Sequence, residues 1–442
     1  MLVSNNIRFF QVVAPALRML HAAAPTPLAC PPGCPRRARR RRCAAVTACG
    51  ASLEERVGAL VSWCVERGAE GSGLAVSDVG PRGRGVVATR DIAPGEVLLS
   101  LPLSLGLADD WAPSQRGVPW HARLALRVLR EQHLGVASEF APYLALLPDA
   151  IASPLVDDTM RLRLRAYAPL LAECDTLRSE IADAHAALGE QLAGVSVSQF
   201  AAAVALVHSR AYGFSGNGQA YLRVLLPLCD MLNHGGDEGQ DSEEAPCWPP
   251  VRDAGNCRWD VDEGMMYVSA TEALSAGDEA LFSYREQSSD HFLLYYGFCP
   301  PANPHDDVVL FADLPALLRW HADLCPSLWA GDAVALRAAA RAAVQAVEAD
   351  VAAGGERALL ASEPRIKALG GGRVDGRLLA ALAAIRGGDA VAASRDLAAR
   401  CREVLTPLEQ ADVGVTEAYD PVRDYLRHKA RILRETLATL NV

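Results

Sequence analysis

Three stretches of the chain bring together residue types that can bind or transform a small molecule. The first is Arg82-Gly83-Arg84-Gly85-Val86, where glycines lead into a strand-like run and allow a tight turn with close backbone approach to a ligand. The other half of a dinucleotide fingerprint, G-x-x-G opening a helix, does not follow, so a Rossmann site is excluded and either a ligand-binding turn or a plain turn remains. The second stretch is Leu225-Leu226-Pro227-Leu228-Cys229-Asp230-Met231-Leu232-Asn233-His234. Asp230, Asn233 and His234 fall within five residues after an apolar run, so they either gather round a polar ligand or satisfy the backbone of a turn. No second histidine or carboxylate stands at ligand spacing from His234, and no metal centre is expected. The third runs from Phe282-Ser283-Tyr284 through a short polar link to Tyr295-Tyr296-Gly297-Phe298, and aromatics at this density either build core, the commoner case, or line a site.

These residues need elements to hold them. Leu53 to Gly68 has a helical period, with Val57, Leu60, Val61 and Cys64 on one face. Gly85 to Ile92 and Glu96 to Leu101 flank Ala93-Pro94-Gly95 and predict a β-hairpin. From about Trp120 to Arg210 the pattern is helical, and its last helix opens on Ser196-x-x-Gln199 with Phe200, Val204 and Val207 on one face. Strand patterns return at Met265 to Ser269 and Glu279 to Tyr284, after an acidic, Gly/Pro-rich loop from Gly235 to Asn256. Beyond Pro304 the pattern is almost wholly helical. Ala333 to Ala353 is rich in helix formers, and a last helix opens on Asp420-Pro421 and buries Val422, Leu426, Leu433, Leu437 and Leu440.

Composition sets the frame. The chain has 442 residues, half of them hydrophobic, and a formal charge of −10, which favours two or three domains with a sizeable core. No apolar run reaches the roughly 18 to 20 residues of a membrane helix, and no basic stripe suggests nucleic acid. The first acidic residue is Glu54, whereas Arg8, Arg18, Arg36, Arg37, Arg39, Arg40, Arg41 and Arg42 all precede it. An Arg-rich, acid-free leader reads as an organelle transit peptide over residues 1–50, with a disordered basic tail as the alternative. Without it the remaining chain stands near −18, which suits a partner presenting positive residues. The twelve cysteines form no C-x-x-C pair, so neither a zinc ribbon nor a thioredoxin-like centre is indicated.

Taken together and in order, the motifs resemble the SET-domain methyltransferases, in the branch of the Rubisco large-subunit lysine methyltransferase. The resemblance rests on Gly83-Arg84-Gly85-Val86 with Thr89-Arg90-Asp91-Ile92, Ser138 to Asp149, Ser209-Arg210-Ala211-Tyr212, Asp230 to His234, and Tyr284 through Tyr296-Gly297-Phe298. It implies an α+β fold: a β-rich SET core with a knot-like crossing over residues 53–303, a helical insertion at about 108–222, and an all-helical substrate-binding domain over 304–442. It implies that S-adenosylmethionine is held by Arg82, Gly83, Arg84, Arg210, Asp230, Asn233, His234 and Phe298. Arg210 faces the cofactor's carboxylate in that reading; as a cation closing a helix it needs no ligand. Tyr284 is then the catalytic tyrosine, and Arg210, Phe214, Asp230, Tyr284 and Tyr296 line the substrate side. The implied partner is a soluble chloroplast protein docked on the helical tail, met by a monomer in the stroma, with no nucleic acid and no membrane. Within the family, histidine methylation is the alternative activity, and a non-catalytic SET-fold binding protein the alternative class.

Overall fold

The computed structural model describes residues 52–80, 83–109, 117–149, 151–216, 219–235, 255–353, 363–411 and 419–440. The leader, Arg82 and most of the acidic loop lie outside them. The described chain is α+β, and it divides into two interleaved compact units. The first holds the residues up to Val156, Thr176–Arg285 and Tyr295–Gly297; the second holds Asp157–Asp175, Glu286–Leu294 and the chain from Phe298 on. The division at residue 303 is thus one of sequence, and the compact units exchange segments across it.

The first unit begins with helix α1 (Leu53–Val65), started by a capping box in which Ser52 and Glu55 satisfy each other's backbone N–H groups. Its buried face is Leu60, Trp63 and Cys64, while Val61 is exposed. Eleven strands follow: β1 (Glu70–Gly71), β2 (Leu74–Asp78), β3 (Arg84–Ala88), β4 (Val97–Pro102), β5 (Leu107–Ala108), β6 (Ala211–Gly216), β7 (Gln219–Leu225), β8 (Asn233–His234), β9 (Cys257–Asp262), β10 (Met265–Ala270) and β11 (Glu279–Phe282). The main sheet runs β1-β4-β10-β9-β11-β3-β2, with β8 paired to β11, and β5-β7-β6 form a smaller sheet.

The expected hairpin of β3 and β4 does not form. The two strands lie in one sheet but pair elsewhere, β3 with β2 and β11, β4 with β1 and β10. The Pro-Gly turn between them is pulled the other way. Gly95 donates to the Ala270 carbonyl, and Ile92 exchanges backbone hydrogen bonds with Leu274. The tight hairpin in this sheet is instead β9–β10, whose turn residues Glu263 and Gly264 both have positive φ. β10 alternates half-buried and buried, with Met266, Val268 and Ala270 inward, which is the period-2 pattern of its sequence.

Between β5 and β6 come α2 (Trp120–Leu134), α3 (Ala141–Leu144), α4 (Ala168–Leu188), which contributes to both units, and α5 (Val197–Arg210). α5 has the expected capping box at Ser196 and Gln199 and buries Phe200, Val204 and Val207; α2 and α5 pack on each other.

The second unit is mainly helical: α6 (Leu314–Leu324), α7 (Ala333–Ala353), α8 (Gly376–Ile385), α9 (Ala390–Ala411) and α10 (Pro421–Thr439). It also carries a three-stranded sheet, β12 (Asp307–Phe311), β13 (Ile366–Leu369) and β14 (Arg373–Val374), which the helical pattern of the sequence does not reveal. All five residues of β12 are buried, so it reads as a short apolar run without alternation. Asp420 caps α10 through the Val422 and Arg423 N–H groups, and Val422, Leu426 and Leu433 are buried, whereas Leu437 and Leu440 are half-exposed. The inner face also carries Lys429, fully buried, whose Nζ meets Asp290 at 2.5 Å and Asp306 at 2.7 Å. No single described helix is long and apolar enough to cross a membrane.

Candidate active site

The first unit brings β3, β8, the end of β11, the end of α5 and α3 to one place. The organising feature is a parallel pairing of the two-residue strand β8 with β11, Asn233 opposite Leu281 and His234 opposite Phe282. Tyr284 follows two residues later, and its backbone N–H donates to His234 Nδ1 at 3.1 Å. The His234 and Tyr284 rings lie 5.3 Å apart, and the Tyr284 and Tyr296 rings 4.9 Å apart. Gly297, with φ +79°, follows Tyr296, and a Cβ there would overlap the Ala152 carbonyl, so glycine is required.

The Tyr284 hydroxyl donates to the Leu232 carbonyl at 2.8 Å. Burial, reinforced by Tyr296, pushes its pKa far above the ordinary phenol range, so the group stays a phenol. With its proton directed at a carbonyl, the phenol oxygen presents acceptor lone pairs. His234 is pushed down to about 4 by burial, partly opposed by a hydrogen bond with the Phe282 backbone, and is neutral near pH 7.

Asn233 is clamped. Its Nδ2 donates to the Arg84 carbonyl at 3.1 Å and to Glu279 Oε1 at 2.8 Å, which orients the amide oxygen the other way. Gly85 makes the clamp fit: a Cβ at that position would overlap the Glu279 carboxylate and stand 2.9 Å from Asn233 Nδ2. Gly83 has φ +75° and closes the turn before β3, its N–H donating to the Gly80 carbonyl at 2.8 Å.

Beside this lies a charged cluster. Arg210, the last residue of α5, donates through Nη1 to the Asp230 carbonyl at 2.7 Å and to Asp230 Oδ2 at 3.3 Å. The Tyr143 hydroxyl donates to the same Oδ2 at 2.6 Å. Burial raises the Asp230 carboxyl pKa, opposed by Arg210 and Tyr143. Arg84 is lowered by burial and by the nearby Arg210 and Arg56 guanidiniums. Two guanidinium groups, Arg210 and Arg84, therefore act on one carboxylate, and Arg56 lies near Arg84. Two polar atoms of opposite sense, Arg210 Nε and Asp230 Oδ1, are buried with no hydrogen-bond partner among the described residues.

Of the residues singled out in the sequence, Gly83, Arg84, Arg210, Asp230, Asn233, His234, Tyr284 and Tyr296 belong to this site. Phe214 is buried in the smaller sheet, edge-on to Trp259 at 5.6 Å. Phe298 belongs to the second unit, where its ring lies 5.3 Å from Phe292. Arg82 lies outside the described residues. Sequence reasoning assigned no role to Tyr143, Glu279 or Trp259. Tyr143 was visible as the one aromatic after Ala141-Pro142, and Glu279 as the charge opening an otherwise apolar strand.

A second cluster, His321, Cys325 and Asp396, has metal-ligand residue types within 4.8 Å. It is a closed hydrogen-bond network. Trp329 Nε1 donates to His321 Nδ1 at 2.9 Å, which leaves the ring proton on Nε2 to be donated to Asp396 at 2.9 Å. Arg386 donates to both Asp396 oxygens and to Cys325 Sγ, placing a cation where a metal would need to sit.

This architecture is a SET fold, and residues 83–285 match the SET domain family model. Its fold is of the Rubisco LSMT-like type. Among solved structures it resembles the SET domain of LSMT bound to lysine and AdoHcy, with TM-score 0.60 and 15% identity over 88% of this chain and 92% of that one. Among curated proteins it is 26% identical to mouse (Mus musculus) SET domain-containing protein 4 over 63% of this chain and 66% of that protein. It is 24% identical to the chloroplastic ribulose-1,5 bisphosphate carboxylase/oxygenase large subunit N-methyltransferase of Nicotiana tabacum, over 55% of this chain and 51% of that protein. It is equally 24% identical to the actin-histidine N-methyltransferase of Drosophila melanogaster, over 57% and 50%. The chain thus spans between half and two-thirds of the length of these curated relatives.

Proposed function

We propose that this protein is an S-adenosylmethionine-dependent protein methyltransferase whose acceptor is a lysine side chain of a soluble chloroplast protein. The observation that carries the proposal is the buried Tyr284 phenol, held beside His234 and Tyr296 with its proton given to the Leu232 carbonyl. The residues present fit the cofactor. Its amino-acid end carries one cation and one anion, and the unpartnered Asp230 Oδ1 and Arg210 Nε offer one site for each. Gly83 and Gly85 allow the backbone of β3 to come close, and Asn233 is oriented by Glu279. S-adenosylmethionine supplies a methyl group on a sulfonium, a good leaving group.

The protein's share of the chemistry is orientation. A lysine amine of pKa ~10.4 is only about 0.4% neutral at pH 8, so the site must favour the neutral form and align its lone pair. Tyr284 suits that task as a hydrogen-bond acceptor for the amine N–H. It is not a general base, because burial holds it as a phenol. A neutral His234 adds no positive charge to oppose the incoming amine.

The relatives and the leader support a choice of target. The tobacco relative is named for the Rubisco large subunit and is chloroplastic, and residues 1–50 have the composition of a transit peptide. We place the protein in the stroma, acting as a monomer on the Rubisco large subunit or a metabolic enzyme such as aldolase, docked on the helical region from Pro304 onward. A histidine acceptor is the second reading, favoured by the Drosophila relative's name. The test is mass spectrometry of stromal proteins after incubation with the protein and methyl-labelled cofactor. Label on a lysine of a folded stromal protein is expected. Label on histidine replaces the acceptor, and the absence of any label refutes the enzyme reading.

A further inference from the structure

Tyr143 is fully buried in the short helix α3, 87 residues from Asp230 in sequence, yet its hydroxyl is 2.6 Å from Asp230 Oδ2. We propose that Tyr143 is a positioning residue: by fixing Oδ2 together with Arg210, it holds Asp230 as a carboxylate whose other oxygen, Oδ1, receives a cationic group of the bound ligand. This rests on the cofactor reading above, and the cationic group is an alkylammonium such as the one S-adenosylmethionine carries.

The geometry supports the assignment in three ways. Oδ2 takes two donors, Tyr143 and Arg210, whereas Oδ1 is buried and takes none among the described residues. A carboxylate with one oxygen committed and the other open is oriented as well as charged. Tyr143 can act only as a donor here, because burial and the neighbouring Asp230 push its own pKa well above the phenol range and its partner oxygen carries no proton. Finally, no other described side chain than Arg210 shares Oδ2 with it, so the hydroxyl is half of the support on that oxygen.

The electrical surroundings of Asp230 fix the direction of the test. Arg210 at the end of α5 and Arg84 on β3 favour its charged form, as does the Tyr143 hydrogen bond from α3; burial opposes it. Tyr212 on β6, Tyr284 after β11, Cys229 and, on α1, Cys64 also face it, all neutral near pH 7 because burial raises each of them. Removing the Tyr143 hydroxyl therefore takes away a stabiliser of the carboxylate, and Asp230 must protonate at higher pH.

Tyr143→Phe keeps the buried ring and deletes only the hydroxyl. Calorimetry should show S-adenosylmethionine bound about 10- to 100-fold more weakly at pH 6, the usual span for losing a hydrogen bond to a charged group, with the defect shrinking as the pH is raised to 9. Turnover at saturating cofactor should change much less. A 13Cγ titration of Asp230 in the ligand-free protein reads the same effect without relying on activity, and should move to higher pH in Tyr143→Phe. Placing 3-fluorotyrosine at 143 retains the ring and makes a stronger donor, so it should move the titration to lower pH; this variant also serves if the phenylalanine form folds poorly. In an Asp230→Asn background, removal of the hydroxyl should cost nothing further in affinity. Superimposable Asp230 titrations, or an affinity loss that persists in that background, overturn the assignment. A wild-type protein that binds no S-adenosylmethionine at either pH overturns the cofactor reading, and the positioning role with it.

Discussion

Replacing Tyr284 by Phe separates structure from chemistry, because the hydroxyl makes a structural bond whose loss can be sized. The bond to the Leu232 carbonyl is 2.8 Å long and lies in the interior. A neutral hydrogen bond of this kind contributes about 1 kcal/mol, and the stranded carbonyl adds desolvation, for a total of ~1–3 kcal/mol. Spread over a unit of this size, that lowers the melting temperature by several degrees, at roughly 2–4 °C per kcal/mol. The chemical effect is of a different order. Losing a preorganised hydrogen bond at a reacting centre costs about 10²- to 10³-fold in turnover. Cofactor affinity should stay close to wild type, because Arg210, Asp230 and Asn233 keep their partners. The assays are calorimetric titration with S-adenosylmethionine, a melting curve, and methyl transfer at saturating cofactor on whichever protein carries the label. Turnover within twofold of wild type would refute the role given to Tyr284. So would a lost activity that higher cofactor concentration restores, since the hydroxyl would then act in binding.

Gly85→Ala should break the Glu279–Asn233 clamp, because the added methyl overlaps the Glu279 carboxylate; expect cofactor affinity to fall at least tenfold with the fold retained, read by calorimetry and circular dichroism. Lys429→Met leaves Asp290 and Asp306 buried without their cation, which costs about 3–5 kcal/mol and lowers the unfolding midpoint of the second unit by roughly 10 °C or more; adding Asp290→Asn and Asp306→Asn should recover part of it. His121, His234 and His291 are all pushed down to about 4 by burial, so the unfolded chain takes up protons before the folded one as pH falls. Their contribution to stability is therefore present above about pH 6.5 and lost between 6.5 and 4, which melting curves across that range would detect.

What the sequence made legible follows from the range of the interactions involved. The capping boxes at Ser52 and Ser196, the Asp420-Pro421 start and the Ala-rich helix α7 are set within four residues of chain, and they appear where local chemistry puts them. The sequence pattern around β3 and β4 predicts a hairpin that does not form, because a Pro-Gly turn specifies a bend and leaves the partner open. Its partners, β10 and β11, lie about 170 and 190 residues downstream, and only tertiary packing selects them. β9 is masked in the sequence by the acidic loop before it, although its Asp262-Glu263-Gly264 turn is a hairpin signal. The site divides the same way. Asp230, Asn233, His234 and Tyr284 sit in short motifs, whereas Tyr143 and Glu279 act through single contacts spanning 87 and 46 residues.

The segments that meet at the site are also where the backbone departs from its easy conformations. Among the described non-glycine residues only Leu228, Glu263 and Arg285 have positive φ; Glu263 belongs to the β9–β10 turn, and the other two flank the site. Leu228 immediately precedes the Cys229–Met231 turn that carries Asp230, and Arg285 immediately follows Tyr284. Each costs of order 1–3 kcal/mol, which local sequence does not return. The compensation comes from pairing: β8 is only two residues long, yet it is held on one side by β11 and through Asn233 by the Arg84 carbonyl and Glu279. That register also sets the chemistry. With His234 opposite Phe282, the Gly235 N–H donates to the Phe282 carbonyl and the Tyr284 N–H to His234 Nδ1, which brings the phenol beside the imidazole and within reach of the Leu232 carbonyl. A shift of one residue would send Asn233 and His234 to opposite faces and leave the Tyr284 hydroxyl without that carbonyl. The strain at Leu228 and Arg285 is thus tied to one register, and that register is the one in which the clamp, the imidazole and the phenol meet.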